Sequence, residues 1–340
     1  MARSERPSVR AHLRAGQVIP AHPLALNSAR GLDERRQRGL TRYYVNSGAG
    51  GIAVGVHTTQ FAIRDSAVGL YRPVLELAKD EARAAVGDKR TFALIAGVCG
   101  HTAQARAEAE IAAAVGYDAA LVSLGDWKTE SERALIDHCR VLAEAMPIFG
   151  FYLQPAVGGR ALSYRFWSDF AEIANVWAIK IAPFNRYQTI DVIRAVVEAG
   201  RSDIALYTGN DDNIVADLLT PFQVRVGGVT TVRWIDGGLL GQWAVWTRHA
   251  VRIFEAIQQA RIAGSIDSAI LSEGAALTDA NGAIFDAANG FAGCIPGIHE
   301  VLRREGLLDG IWCVNPNERL SAGQLDEIDR VVRTYPELTS

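Results

Sequence analysis

The chain has 340 residues, of which 49% are hydrophobic and 21% charged, and its formal net charge is -3. This balance is ordinary for a globular protein with a large core, and the lack of a dense basic tract beyond the first fourteen residues argues against a nucleic-acid partner. The four cysteines are widely spaced, no export signal is evident and no apolar run reaches the roughly eighteen residues of a membrane span, so we expect a soluble protein of the reducing cytoplasm.

Short apolar runs rich in β-branched and aromatic residues recur along the first two thirds of the chain. They are apolar throughout rather than alternating, which is typical of strands buried on both faces of a parallel sheet. We predict eight strands from them: QVIPAH (17–22), GIAVGVH (51–57), FALIAGV (92–98), AALVSL (119–124), IFGFYL (148–153), VWAIKI (176–181), IALYTG (204–209) and GVTTVRW (228–234).

Amphipathic helical segments separate these runs, and several begin at Ser, Thr or Asp and end at Gly, as capped helices do. Eight successive βα units predict an α/β fold, the (β/α)8 or TIM barrel, rather than a Rossmann-like sheet, because no GxGxxG motif follows the first run. Only helical patterns follow residue 239. We therefore predict an N-terminal extension (1–14), a barrel (15–238), and a last barrel helix with a C-terminal helical region (239–340).

Polar side chains at the ends of the predicted strands are the candidate site residues. The active site of a TIM barrel lies at the C-terminal ends of its strands, so these side chains should meet at one mouth. The candidates are His22, His57, Thr58, Thr59, His101, Asp126, Tyr152, Lys180, Asn210, Asp211, Asp212, Arg233 and Asp236.

Lys180 is the candidate with the most specific chemistry, because it interrupts the apolar run VWAIKI, whereas the other three lysines of the chain have polar neighbours. Burial lowers the pKa of a lysine and makes its neutral amine available near pH 7. A neutral amine attacks carbonyl carbons to form a Schiff base, which permits cleavage or formation of an adjacent carbon–carbon bond. The alternative is a structural lysine that extends to an ion pair with Asp211 or Asp212.

Tyr152 ends the predicted strand before that of Lys180, so we expect its phenol to be close to the amine. Schiff-base formation requires proton transfer to and from the carbonyl oxygen, which a tyrosine hydroxyl can perform. The alternative is a core tyrosine whose hydroxyl is bound by the backbone.

Tyr152, Pro155 and Lys180, with their spacing, resemble the paired tyrosine and Schiff-base lysine of the dihydrodipicolinate synthase / N-acetylneuraminate lyase family. The segments ALYTGNDD and GLLDGIWCVNPNERLSAGQLDEI also resemble parts of that family. The resemblance implies a barrel with a C-terminal helical domain, usually a homotetramer. It also implies a lyase or aldolase that binds pyruvate or another 2-oxo acid through Lys180, with Tyr152 as proton shuttle and no separate cofactor.

The chain departs from the family at the residues that recognise substrate. VHTTQ replaces the family's Gly-Thr-Thr-Gly-Glu, so His57, Thr58 and Thr59 are the expected carboxylate or hydroxyl contacts. SLGDW, with Asp126, replaces the Pro-Tyr-Tyr of synthases, and Arg160 is the nearest substitute for their substrate-binding arginine. These departures argue against dihydrodipicolinate synthesis and favour another 2-oxo acid, such as one derived from a sugar, with a keto sugar as the next candidate.

Two other functions fit the same barrel. One is a metal-dependent sugar lyase or isomerase that uses His22, His57 and an acidic residue, although the sequence contains no HxH pair and we expect no metal. The other is a non-catalytic protein that binds a sugar acid. For Arg233 and Asp236, a mutual ion pair is the alternative to substrate recognition.

Overall fold

Eight parallel strands form the centre of the molecule in a computed structural model that describes residues 8–339. The strands are β1 (Val18–Pro20), β2 (Gly51–Val54), β3 (Ala93–Val98), β4 (Ala119–Val122), β5 (Ile148–Leu153), β6 (Val176–Ala182), β7 (Ala205–Thr208) and β10 (Gly237–Leu240). Their order in the sheet is β1-β10-β7-β6-β5-β4-β3-β2, and a parallel bridge between Ala21 and Ala53 joins the two ends. The predicted (β/α)8 barrel is confirmed.

Helices pack around this barrel and continue beyond it. They are α1 (Val9–Arg14), α2 (Glu34–Asn46), α3 (Tyr71–Val86), α4 (Thr102–Val115), α5 (Glu132–Ala145), α6 (Tyr164–Ala171), α7 (Arg186–Glu198), α8 (Ile214–Leu219), α9 (Thr247–Ala263), α10 (Ser268–Ile284), α11 (Cys294–Arg304) and α12 (Gln324–Thr334). Side chains cap several N-termini: Ser131 accepts a hydrogen bond from Ala134 N–H, and Ser163 accepts one from Phe166 N–H. None of the described helices is long and apolar enough to cross a bilayer.

The barrel has two apolar cores, one on each face of the sheet. The smaller core fills the interior and includes Ile19, Leu121, Phe149 and Leu239, whereas the larger lies between the strands and the helices. Helix α1 closes the N-terminal end of the barrel, because the fully buried Leu13 packs into the interior core. Apolar side chains therefore fill the barrel interior at this end.

The predicted eighth strand, GVTTVRW at 228–234, is wrong. Its residues form β9 (Val229–Arg233), which pairs antiparallel with β8 (Phe222–Val226) in a separate hairpin. The VGGV turn and the β-branched residues are typical of a hairpin.

The true barrel strand, β10, begins with two glycines. The sequence pattern does not predict this strand, because glycine disfavours strands. A Cβ at Gly237 would lie 2.5 Å from backbone atoms of Gln17, so the position requires glycine. The predicted barrel boundary at 238 falls within this strand.

Candidate active site

A cavity of about 80 Å³ lies at the C-terminal ends of the barrel strands. Strand ends and their loops form its floor and sides, and the chain between α10 and α11 covers it. Its polar lining residues are His57, Thr58, Gln154, Lys180, Asp211 and Cys294, and its large apolar lining residues are Leu121, Phe151, Leu153, Phe184, Phe285, Phe291 and Ile298. The cavity thus brings together four of the predicted site residues: His57, Thr58, Lys180 and Asp211.

Lys180 projects from β6 into this cavity. Phe151 is its partner in the register between β5 and β6, and the Nζ atom lies 4.5 Å from the centre of the Phe151 ring. Burial lowers the pKa of the lysine, and the negative charge of Asp211 opposes that shift only in part. A phenyl face stabilises an ammonium group less than water does, so a larger fraction of this amine is neutral near physiological pH than of a lysine exposed to solvent.

Asp211 follows β7 and lines the same cavity. Burial raises the pKa of its carboxyl group, and the positive charge of Lys180 opposes this shift. The carboxylate accepts a hydrogen bond from Gln242 N–H (3.3 Å), and its backbone carbonyl accepts one from Asn281 Nδ2 (2.7 Å). The acid is therefore held in place and can exist with or without its proton near neutral pH.

The segment after β2 forms a 3-10 turn over His57–Thr59. Thr58 Oγ1 donates a hydrogen bond to Ala21 O (2.8 Å) and lines the cavity. Burial, assisted by the charge of Lys180, lowers the pKa of His57 to about 4, so its imidazole is neutral at pH 7. Thr59 does not line the cavity: its hydroxyl donates to His22 O (2.6 Å) and accepts from Gly55 N–H (3.0 Å), which fixes the turn.

Tyr152 lies on the opposite face of β5 from Phe151. It is fully buried in the core between sheet and helices, where its ring packs 5.2 Å from that of Trp167. Its hydroxyl donates to Leu162 O and accepts from Leu162 N–H, both at 3.1 Å. Successive strand residues point to opposite faces, and Phe151 takes the inward position beside Lys180. The expectation that the Tyr152 phenol is close to the Lys180 amine is therefore wrong.

His22 is fully buried outside the cavity. Its Nε2 atom lies 2.8 Å from Thr41 Oγ1, its Nδ1 atom lies 2.8 Å from Pro23 O, and burial lowers its pKa to about 4. The structure does not bring it together with His57 in the arrangement that the metal-dependent alternative needs. Among residues 8–339, no group of three or more His, Cys, Asp or Glu side chains is placed to hold a metal ion.

Asp126 and Arg160 belong to the loops beside the cavity. Asp126 lines a neighbouring groove of about 610 Å³, and its carboxylate accepts a hydrogen bond from Gly100 N–H (3.0 Å). Arg160 Nη1 donates to the backbone carbonyls of Trp127 (2.9 Å) and Glu130 (2.8 Å), so it ties two loops together. Neither side chain lines the cavity that contains Lys180.

Asn210 and Arg233 also have structural partners. Asn210 accepts a hydrogen bond from Phe184 N–H (2.9 Å) and donates one to Asp217 (2.8 Å), which fixes the loops after β6 and β7. Arg233 forms an ion pair with Asp236 (3.0 Å), whose carboxylate accepts from Leu206 N–H near the start of β7. This pair lies at the N-terminal end of the barrel, away from the cavity, as the ion-pair alternative predicted.

The aromatic cover of the cavity was not identified from the sequence. Phe184 follows β6, and Phe285 and Phe291 come from the chain between α10 and α11. The rings of Phe184 and Phe291 meet edge to face at 6.1 Å, and both residues have left-handed backbones, with φ of 53° and 69°. Bulky residues rarely adopt this conformation and often do so at binding sites. Their local sequence gives no sign of which part of the barrel they cover.

The chain thus folds as a barrel with an inward lysine at the mouth of its strands. The model of the dihydrodipicolinate synthetase family matches residues 14–233, and the chain belongs to this family. The 4-hydroxy-tetrahydrodipicolinate synthase of Bifidobacterium longum is 26% identical over 218 residues. That match covers 63% of this chain and 64% of the relative, so the chain spans less than two thirds of the relative's length.

Two solved structures share the fold of this chain. N-acetylneuraminate lyase from Fusobacterium nucleatum aligns with a TM-score of 0.72 and 17% identity, over 95% of this chain and 99% of that chain. Dihydrodipicolinate synthase from Aquifex aeolicus aligns with a TM-score of 0.74 and 18% identity, over 94% of this chain and 98% of that chain. The aromatic residues contributed by the chain between α10 and α11 lie outside the region that the family model matches.

Proposed function

We propose that this protein is a Schiff-base-forming lyase or aldolase that makes or breaks a carbon–carbon bond beside the carbonyl of a 2-oxo acid. The observation that carries the proposal is Lys180, an amine of lowered pKa at the base of a cavity that also contains an acid–base group. The imine nitrogen withdraws electrons from the substrate, so this chemistry requires no separate cofactor.

The reaction begins when the neutral Lys180 amine adds to C2 of the 2-oxo acid. The carbonyl oxygen leaves as water and an imine remains. Loss of a proton from C3 gives an enamine, whose C3 forms a bond to the carbonyl carbon of an aldehyde while the aldehyde oxygen takes up a proton. Water then hydrolyses the imine, which releases a 4-hydroxy-2-oxo acid and restores the amine. Cleavage is the reverse of these steps.

Asp211 is the group that we assign to proton transfer in these steps. With the phenol of Tyr152 on the other face of β5, the ionisable groups that share the cavity with Lys180 are His57, Asp211 and Cys294. Burial raises the pKa of the Cys294 thiol far above neutrality and lowers that of His57 to about 4. A general acid–base group works best with a pKa near the working pH, and burial moves the pKa of Asp211 upward in that direction. His57 remains as a contact for the substrate carboxylate, and the Thr58 hydroxyl, which donates its proton to Ala21 O, can still accept a hydrogen bond from a substrate hydroxyl.

Exchange of the methyl protons of pyruvate in D₂O, followed by NMR, tests this proposal without knowledge of the second substrate. We expect the protein to accelerate exchange, because the enamine loses a C3 proton and regains a deuteron. Lys180→Ala should abolish the acceleration, whereas Lys128→Ala, at an exposed position outside the cavity, should match the unaltered protein. Exchange that persists in Lys180→Ala, or that occurs with none of a panel of 2-oxo acids, would contradict the proposal.

A further inference from the structure

Aromatic and aliphatic side chains make up most of the lining of the cavity around Lys180. Phe184, Phe285 and Phe291 cover it, and Leu153 and Val157 form the wall toward the neighbouring groove. The rings of Phe184 and Phe291 pack against each other. A hydrogen bond from Phe184 N–H to Asn210 Oδ1 (2.9 Å) also fixes the backbone of Phe184. The group attached to the reacting aldehyde carbon therefore meets an apolar surface.

Few polar side chains in the cavity remain for a hydroxylated substrate. Lys180 and Asp211 are committed to the reaction, and Thr58 already donates its hydroxyl proton to Ala21 O. This leaves His57, Gln154 and the Cys294 thiol among the described polar residues of the lining, and no described arginine lines the cavity. A polyhydroxylated chain would bury several hydroxyl groups without partners, and each such group weakens binding.

We infer that the second substrate of this enzyme is an apolar aldehyde, aromatic or branched aliphatic, rather than a sugar or other polyhydroxylated aldehyde. The inference rests on the proposed function and specifies its substrate class. The 2-oxo acid bound to Lys180 would add through C3 to the aldehyde carbon, and the product would be a 4-aryl- or 4-alkyl-4-hydroxy-2-oxo acid. The addition needs no oxidant or reductant, and in the cleavage direction the same aldehyde is released.

Parallel reactions of pyruvate with benzaldehyde, isobutyraldehyde and erythrose test the inference, with the hydroxy-oxo acid products measured by mass spectrometry. We expect kcat/KM for benzaldehyde to exceed that for erythrose by on the order of 100-fold. The reason is that the pocket lacks partners for the hydroxyl groups of erythrose and therefore discriminates against it. A preference for erythrose would overturn the inference. Pyruvate deuterium exchange without any product from the apolar aldehydes would also overturn it, and would leave the proposed function standing.

Phe184→Asn and Phe291→Asn test the aromatic cover itself, because asparagine accepts a left-handed backbone. Each should lower the ratio of benzaldehyde to erythrose kcat/KM by about tenfold, since a ring contact is replaced by a polar amide. Tyr187→Asn is the matched control, because Tyr187 is 83% exposed and does not line the cavity. An unchanged ratio in both phenylalanine variants would overturn the inference. Absence of pyruvate exchange in the unaltered protein would overturn both it and the proposed function.

Discussion

Asp211→Asn is expected to lower the rate of pyruvate deuterium exchange by about 100-fold or more, because asparagine cannot carry a proton. The substitution preserves shape, and the amide oxygen can still accept the hydrogen bond from Gln242 N–H. Asp212→Asn should leave the rate within about twofold, since Asp212 does not line the cavity.

Tyr152→Phe should leave the exchange rate within a few-fold of the unaltered protein. It should lower the free energy of unfolding by about 1 kcal/mol, because the two hydrogen bonds to Leu162 are lost.

The pH profile separates two ways in which Asp211 could act. If the carboxylate only set the charge of Lys180, Asp211→Asn would move the pH optimum of exchange and retain its maximum rate. If Asp211 carries protons, the exchange rate of Asp211→Asn is lower at every pH, and its maximum rate is lower too. A Tyr152→Phe protein that loses as much activity as Asp211→Asn would contradict our assignment of proton transfer.

Gly209→Ala is expected to lower exchange by about 100-fold in a folded protein, because a side chain at this position displaces the lysine. An added Cβ would lie 2.5 Å from Lys180 Cε and 2.8 Å from Ala182 Cβ. The long lysine chain has more freedom to move than the strand, so Nζ would shift away from the carbonyl carbon. A displacement of about 1 Å is sufficient for a loss of this size.

Gly241→Ala provides the matched control for Gly209→Ala. Gly241 also lines the cavity, but an added Cβ there would lie 3.5 Å from Phe285 and 3.7 Å from Thr58, which is ordinary contact. We expect exchange within a few-fold of the unaltered protein. Circular dichroism and thermal unfolding show whether both variants are folded, and a folded Gly209→Ala protein with full exchange would contradict the placement of Lys180.

The barrel and its lysine could be predicted because both depend on patterns within short segments. Buried parallel strands are apolar along their whole length, and a charge in such a strand stands out. Lys180 and Asp211 end neighbouring strands, so the rule that sites form at the C-terminal ends of barrel strands was sufficient to bring them together. Membership of the family, inferred from Tyr152, Pro155 and Lys180, is confirmed.

Other site residues could not be placed from the sequence, because the spacing of residues along the chain does not determine strand register or long-range contacts. Tyr152 lies at the expected end of its strand, but the pairing of Phe151 with Lys180 turns it outward, and a shift of one residue in register decides this. The polar candidates His22, Arg160 and Arg233 have partners that only the folded chain brings close. Phe285 and Phe291 reach the cavity from far along the sequence, so no local pattern could place them there.

Trapping of the imine tests the central claim most directly. The protein is incubated with pyruvate and sodium borohydride, digested, and examined by mass spectrometry for the reduced adduct. We predict the adduct on the peptide that contains Lys180, with none on the peptides that contain Lys79, Lys89 or Lys128. An adduct on another lysine, or deuterium exchange without an adduct on Lys180, would contradict the account.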